Sequence, residues 1–167
     1  CGSEELGLLG SAAYCRAHAE ELGSFVLDVN LDMIGSAMGP FFACCTAEER
    51  LAHYLEYFSA ELGFGLSVRS DVCPSDSTPF ADSGVPSVSF TRDAPKGVGS
   101  IHSRYDTDAI LSAGQMAEDI AFVTAFVERM ANARHCPVAR EIPARLKEKI
   151  DVYMDRKRTV TEPKTGK

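Results

Sequence analysis

Residues 25–34, with the sequence FVLDVNLDMI, determine what kind of fold this chain can adopt. Apolar and polar residues alternate along much of the stretch, which predicts a strand with two unlike faces. One face carries Phe25, Leu27, Val29, Leu31 and Met33, and the other carries Val26, Asp28, Asn30, Asp32 and Ile34. Two carboxylates and an amide are costly to bury without partners. A metal, an ion pair, hydrogen bonds or exposure to solvent would each satisfy them.

Predicted helices and strands alternate on both sides of this strand. Further strands are predicted at 41–45, 66–69 and 85–91, helices at 8–22 and 142–156, and loops at 70–86 and 92–107. Two more helices are predicted to begin at capping boxes, Thr46 with Glu49 and Ser112 with Gln115. Their predicted core faces are Leu51, Tyr54, Leu55, Phe58 and Leu62 in the first, and Met116, Ile120, Val123, Val127 and Met130 in the second. This alternation indicates the α/β class, with one domain at 1–157 and a flexible tail at 158–167.

The composition is that of an ordinary globular chain with an acidic balance. The 167 residues carry a formal net charge of -7, which argues against nucleic acid and anionic membranes as partners. No apolar run approaches the roughly 20 residues that span a bilayer. The six cysteines include no C-x-x-C pair, so we expect reduced thiols and, on that ground, a cytoplasmic location.

Two acids near the N-terminus and one histidine are candidates for a functional site, because a purely structural role does not readily explain their positions. Glu4 and Glu5 precede an apolar, glycine-spaced helix entry, so one could bind a metal while the other acts as a general base. Both could instead favour the helix N-terminus through its dipole. His102 follows a glycine-rich loop and precedes Asp106, an arrangement that suits a zinc ligand or a simply exposed histidine. The other three histidines are expected at the surface.

The order of these segments resembles the di-zinc aminopeptidase family of zinc exopeptidases (clan MH), which includes bacterial leucyl aminopeptidases, aminopeptidase Y and plasma glutamate carboxypeptidases. The matching stretches are GSEELGLLGSAAY at 2–14, NLDMIG at 30–35, SDSTPFADSGVPSVSF at 75–90 and HSRYDT at 102–107. The resemblance covers residues 1 to about 130. It implies a three-layer α/β/α sandwich of the zinc-exopeptidase (phosphorylase/hydrolase-like) type, truncated at its N-terminus.

The resemblance also implies a role for each site residue. Glu4 would be the general base that takes a proton from a metal-activated water and passes it to the leaving amine of a peptide with a free N-terminus. Glu5 and His102 would bind one zinc, Asp32 would bind a second, and Asp106 would support the histidine from outside the metal site. Many relatives have histidine where this chain has Ser77, which affects substrate contacts and not zinc binding.

The family's site also needs a histidine and a bridging aspartate from a region before the Glu-Glu motif. Those two residues are absent from this chain, so an upstream segment or a partner chain is expected to complete the site. Two other functions stay open at this stage. A non-catalytic fragment or binding module would keep the fold without the metals, and a glutaminyl cyclase-like transferase would use the same scaffold with one zinc.

Overall fold

A computed structural model describes residues 1–93 and 101–154, in which four strands form one mixed sheet with the order β1-β4-β2-β3. The strands are β1 Asp28–Leu31, β2 Phe41–Thr46, β3 Leu66–Ser70 and β4 Ser87–Arg92. β1 runs parallel to β4 and β2 runs parallel to β3, whereas β4 and β2 are antiparallel. β1 is shorter than the predicted ten-residue strand. The predicted tail at 158–167 lies outside the described residues. Residues 94–100, which belong to the predicted loop at 92–107, also lie outside them.

In the same described ranges, five α-helices cover the two faces of this sheet. They are α1 Leu9–Ala17, α2 Glu49–Glu61, α3 Ser77–Asp82, α4 Ala113–Ala131 and α5 Ala144–Tyr153. The main apolar core lies between the sheet and helices α2 and α4. Helices α1 and α3 lie on the opposite face, and α5 packs on α3 through a smaller cluster. The predicted α/β/α layering is therefore confirmed. Within the described residues, no helix is long and apolar enough to span a membrane.

The alternation of residues divides the sheet into an apolar and a polar face. In β4, Val88 and Phe90 are fully buried in the main core. Ser89 points to the other face, where its hydroxyl oxygen accepts a hydrogen bond of 3.0 Å from the amide of Asn30. Two assignments in the predicted strand are wrong: Ile34 packs against the main apolar core, and Phe25 packs against a separate cluster that contains Cys15 and Val85. Met33 has a positive φ of 55°, and this turn breaks the period of two that holds within β1.

The two predicted capping boxes have different outcomes. Ser112 caps α4 as predicted, because its hydroxyl accepts a hydrogen bond of 3.3 Å from the Gln115 amide. Thr46 does not cap α2, which begins after Glu48. Thr46 is the last residue of β2, and its hydroxyl donates to the Asp71 carbonyl at 2.8 Å. Because its hydroxyl is hydrogen-bonded to Asp71, Thr46 is not available to cap α2.

Two other local predictions are wrong. In α4 the predicted Val123 is buried and Met130 packs against the core, but Ile120 is 48% exposed and the other buried apolar side chains are Phe122 and Phe126. Phe122 and Phe126 both pack on the rings of Phe58 and Phe90, so the buried face of the helix is centred on these two aromatic residues. The predicted loop at 70–86 contains the short helix α3, which starts just before Pro79, a residue tolerated in the first turn of a helix.

A disulfide joins Cys44 of β2 to Cys73 in the loop before α3, which contradicts the expectation of reduced thiols at these two positions. Disulfides persist in oxidising compartments, so the ground for a cytoplasmic location no longer holds. The neighbouring Cys45 is a free thiol in the main core, and burial raises its pKa to about 12. Adjacent cysteines on opposite faces of β2 thus have unrelated roles.

Replacing both Cys44 and Cys73 with serine is expected to lower the free energy of unfolding by about 3 to 4 kcal/mol. The physical reason is that the bond closes a loop across a sequence separation of 29 residues and so restricts the unfolded chain. Urea unfolding with and without a reductant measures the effect. The matched control is Cys136→Ser, since Cys136 is exposed and free. Equal stability of the double variant and the oxidised protein would contradict the expectation.

A buried ion pair anchors the end of β4 to α4. The Arg92 guanidinium makes two hydrogen bonds to the Asp119 carboxylate, at 2.5 and 3.0 Å. Asp119 also accepts a hydrogen bond of 3.0 Å from the Gly35 amide, and Arg92 donates to the Gly39 carbonyl at 2.6 Å. Gly35 cannot be replaced freely, because its φ is 81° and an added Cβ would lie 2.3 Å from the Met116 side chain. This network fixes the turn that follows β1.

Candidate metal and peptidase site

Glu4 and Glu5 lie in a single 3-10 turn, Glu4–Leu6, directly before α1. Left-handed backbone conformations at Ser3 (φ 60°) and Leu8 (φ 59°) bracket this turn. Non-glycine residues rarely adopt such values, and they tend to occur where the surrounding structure imposes a functional geometry. Glu4 is half-buried and Glu5 is exposed, so the two neighbouring carboxylates face different surroundings.

Asp32 directly follows β1 at the carboxyl end of the strand. Its amide donates to the Phe90 carbonyl at 2.9 Å, which extends the pairing with β4 by one residue. The left-handed turn at Met33 then leads the chain away, and the Asp119 network fixes Gly35 beyond it. Asp32 is thereby held at the end of a rigid element with its side chain on the polar side of the sheet.

His102 comes from a third segment and meets Glu5. Its Nε2 lies 2.7 Å from a Glu5 carboxylate oxygen, and His102 itself has a φ of 62°. The pair lies in an open cleft of about 830 Å³, which Asp106 also lines. Among the described residues, Asp106 makes no hydrogen bond to the His102 ring, so the predicted supporting contact is not formed in this structure. Residues far apart in the sequence nevertheless share one cleft.

Burial and neighbouring charges act together on the carboxylates of this site. Desolvation raises the pKa of Glu4, and the negative charges of Glu5, Asp32 and Asp76 raise it further, while His102 opposes them. Desolvation also raises the pKa of Asp32, with Glu5 and Asp76 adding to the effect. A cluster of acids that destabilise one another's charged forms is a favourable place for a cation.

Two further acids extend the cluster into the interior. Asp76 is 8% exposed, and its Oδ1 has no hydrogen-bond partner, although its Oδ2 lies 2.5 Å from the amino group of Cys1. Asp28 on β1 also has one buried oxygen without a partner. Burial raises the pKa of Asp28 to about 7, partly opposed by a hydrogen bond from Ser87, while the charge of Asp76 adds to the rise.

The sequence assigned no role to either of these acids. Asp76 lies within the SDSTPF motif, and that motif was the signal that could have identified it. Its neighbour Ser77, where many relatives have histidine, is 2% exposed and lies 2.7 Å from the Ser75 hydroxyl. The Ser77 side chain therefore faces the interior beneath the motif.

These side chains fit part of a zinc site. A histidine nitrogen beside a carboxylate, with further carboxylates nearby, is a typical donor set for zinc. Within the part of the chain that the structure describes, no three His, Cys, Asp or Glu side chains converge closely enough to hold one ion. The residues therefore fit zinc as individual ligands and do not form a complete site. Glu5 and His102 are the two that are already in contact.

The fold is that of an α/β domain with an acidic cleft at the end of β1, and the comparisons with known proteins identify its family. The model of peptidase family M28 matches residues 1–127, and the chain belongs to that family. The predicted family is therefore confirmed. No curated protein sequence matched the chain significantly.

Two solved structures illustrate the similarity in fold. A zinc aminopeptidase from Bacillus subtilis superimposes with a TM-score of 0.63 at 24% identity, covering 85% of this chain and 38% of that one. An aminopeptidase from Aneurinibacillus sp. strain AM-1 superimposes with a TM-score of 0.63 at 22% identity, covering 77% of this chain and 31% of that one. The chain thus spans less than two fifths of the length of these structural relatives.

Proposed function

We propose that this chain supplies the general base and part of the zinc ligands of an aminopeptidase that hydrolyses the N-terminal bond of a peptide. The observation that carries the proposal is the meeting of Glu5 and His102 at 2.7 Å, beside Glu4 and Asp32. Asp32 and His102, which come from two other segments, both act electrostatically on Glu4. The match to peptidase family M28 and the likeness to zinc aminopeptidases support the same activity.

Glu5 and His102 would hold one zinc, and Asp32 would hold a second. Bound zinc would supply positive charge that polarises the peptide carbonyl and favours ionisation of water. The remaining ligands would come from an upstream segment or a partner chain, since each catalytic zinc takes about three protein ligands.

Glu4 is proposed as the group that moves the proton. Its carboxylate would accept a proton from the water that attacks the peptide carbon, and would then donate it to the nitrogen of the departing amine. The 3-10 turn Glu4–Leu6 contains both acids and leaves Glu4 half-buried and Glu5 exposed. Asp106, in the same cleft, would help to orient His102 once the ligand is in place.

The chain offers an internal control for zinc binding. His18 and Glu21, at 3.1 Å, form another histidine–glutamate pair on the surface, within one turn of the chain after α1. Zinc titration of the chain, followed by the side-chain NMR resonances of both histidines, compares the two pairs directly. We expect His102 to respond at roughly tenfold lower zinc concentration than His18, since the acids around it add attraction worth at least about 1.4 kcal/mol.

The variant Glu5→Gln should remove the preference of zinc for His102, whereas Glu21→Gln should not affect it. Asp32→Asn should weaken the response less than Glu5→Gln does, because Asp32 is assigned to a second ion. If His102 and His18 respond to zinc alike, or if Glu5→Gln leaves the His102 response unchanged, the proposed zinc site is wrong.

A further inference from the structure

A second cleft opens on the polar face of the sheet and begins at Asp32. Its volume is about 210 Å³, and it extends from Asp32 past Phe42 to Arg69. The disulfided residues Cys44 and Cys73 form part of its wall. Pockets for drug-sized ligands measure roughly 300 to 1,000 Å³, so this cleft suits a smaller group such as one amino-acid side chain. It adjoins the proposed zinc site and was not indicated by the sequence.

Arg69 provides a cation in this cleft whose guanidinium donates no hydrogen bond to another of the described residues. Its guanidinium carbon lies 4.2 Å from the centroid of the Phe42 ring. Stacking on an aromatic face occupies the plane of the guanidinium and leaves the N–H groups at its edge free to bind a carboxylate in a bidentate manner. Arg92 and Arg129, by contrast, have carboxylate partners, Asp119 and Glu61.

Among the described residues, no carboxylate forms an ion pair with Arg69. The groups that bear negative charge in the cleft are Asp32 and Asp93, which line it together with Arg69. The cleft therefore has an anionic part and a cationic part. Arg69 reaches over β2, which lies two strands from β1, so the separation between the two parts is about 10 Å at the usual strand spacing. One extended residue with its side chain spans such a distance.

We propose that this cleft binds the N-terminal amine of a short peptide together with a carboxylate of the same peptide, with Arg69 as the residue that determines specificity for the carboxylate. The amine would be attracted to the acids at the Asp32 end, and the carboxylate would bind the Arg69 guanidinium. This inference rests on the proposed function, because it places the substrate beside the zinc ligand Asp32. The carboxylate belongs to an N-terminal glutamyl or aspartyl side chain, or to the C-terminus of a dipeptide.

Binding of four probe peptides to the chain, followed by backbone amide NMR shifts, tests the inference and separates the two sources. The probes are glutamyl-alanine amide, glutaminyl-alanine amide, glutaminyl-alanine with a free C-terminus, and leucyl-alanine amide. A side-chain carboxylate as the ligand predicts that glutamyl-alanine amide binds about tenfold more tightly than glutaminyl-alanine amide. A C-terminal carboxylate as the ligand predicts that glutaminyl-alanine binds about tenfold more tightly than its amide.

Variants of Arg69 then identify the cationic partner. Arg69→Gln should abolish whichever tenfold preference is found, and Arg69→Lys should retain only part of it because the ammonium cannot bind in a bidentate manner. Arg50→Gln is the matched control, since Arg50 is exposed on α2 and pairs with Glu48. Equal binding of charged and uncharged probes, absence of binding, or a preference that survives Arg69→Gln would overturn the inference.

The zinc titration keeps this result separate from the proposed function. If zinc binds more tightly at His102 than at His18 but peptide binding does not depend on a carboxylate, the role of Arg69 is wrong. The aminopeptidase proposal would then still hold. A carboxylate preference that depends on Arg69, without zinc preference at His102, would support the cleft and overturn the zinc site.

Discussion

Replacing Glu4 with glutamine is expected to lower the turnover number for aminopeptide hydrolysis by about 100- to 10,000-fold. Glutamine keeps the shape of the side chain but cannot accept the proton of the attacking water. Zinc binding at His102 should be retained, because Glu5 and not Glu4 contacts that histidine. The measurement is kcat on glutamyl and leucyl 4-nitroanilides, with the chain joined to the segment or partner that completes its metal ligands.

Glu20→Gln is the control for this substitution, since Glu20 is exposed and outside the acidic cluster. It removes the same charge and should leave kcat within about twofold of the parent protein, as surface substitutions have small effects. A Glu4→Gln protein that retains more than a tenth of the parent kcat would show that another group transfers the proton. Asp32 and Asp76 would then be examined, because both are electrostatically coupled to Glu4.

The second large effect is expected from Asp119→Ala, which should lower the free energy of unfolding by about 3 to 5 kcal/mol. Asp119 is 0% exposed, and its removal leaves the buried Arg92 guanidinium without its partner. The Gly35 amide also loses its acceptor, so the turn after Asp32 should loosen. Urea unfolding gives the loss of stability, and the NMR resonances of residues 32–36 report the turn.

A neighbouring acid on α4 serves as the control for this prediction. Glu118 is exposed, and its carboxylate accepts a hydrogen bond of 3.2 Å from the side chain of Gln115. Glu118→Ala should change the stability by no more than about 0.5 kcal/mol. A loss of less than 1 kcal/mol for Asp119→Ala would mean that water replaces the carboxylate and that the ion pair has little structural importance.

Much of the fold follows from local patterns in the sequence. The alternation in residues 25–34 identified the two faces of β1, and Ser112 identified the start of α4. The sequence could not show that Thr46 belongs to β2 rather than to a helix cap, because its hydroxyl is used by a carbonyl 25 residues away. Local sequence preferences fit Thr46 equally well at the end of a strand and at a helix cap. The contact with a distant residue decides between the two.

The site could be predicted in its members but not in its arrangement. The sequence singled out Glu4, Glu5, Asp32 and His102, and the structure brings Glu5 into contact with His102. The involvement of Asp76 and the position of Arg69 depend on how α3 and β3 pack against the sheet, which no local pattern records. The pairing of Cys44 with Cys73 has the same origin, since the two cysteines become neighbours only when the loop before α3 folds over β2.

Because the two faces of the sheet differ, the domain should tolerate substitutions in its strands better than insertions or deletions. Substitutions in β1 or β4 affect one face at a time, so packing and chemistry can vary independently. Deletion or insertion of a single residue within β1 would instead exchange the faces for everything beyond it. Asn30 and Asp32 would then enter the apolar layer while Val29 and Leu31 faced the site. Variation in length among homologous chains should therefore fall in the turns and be excluded from these strands.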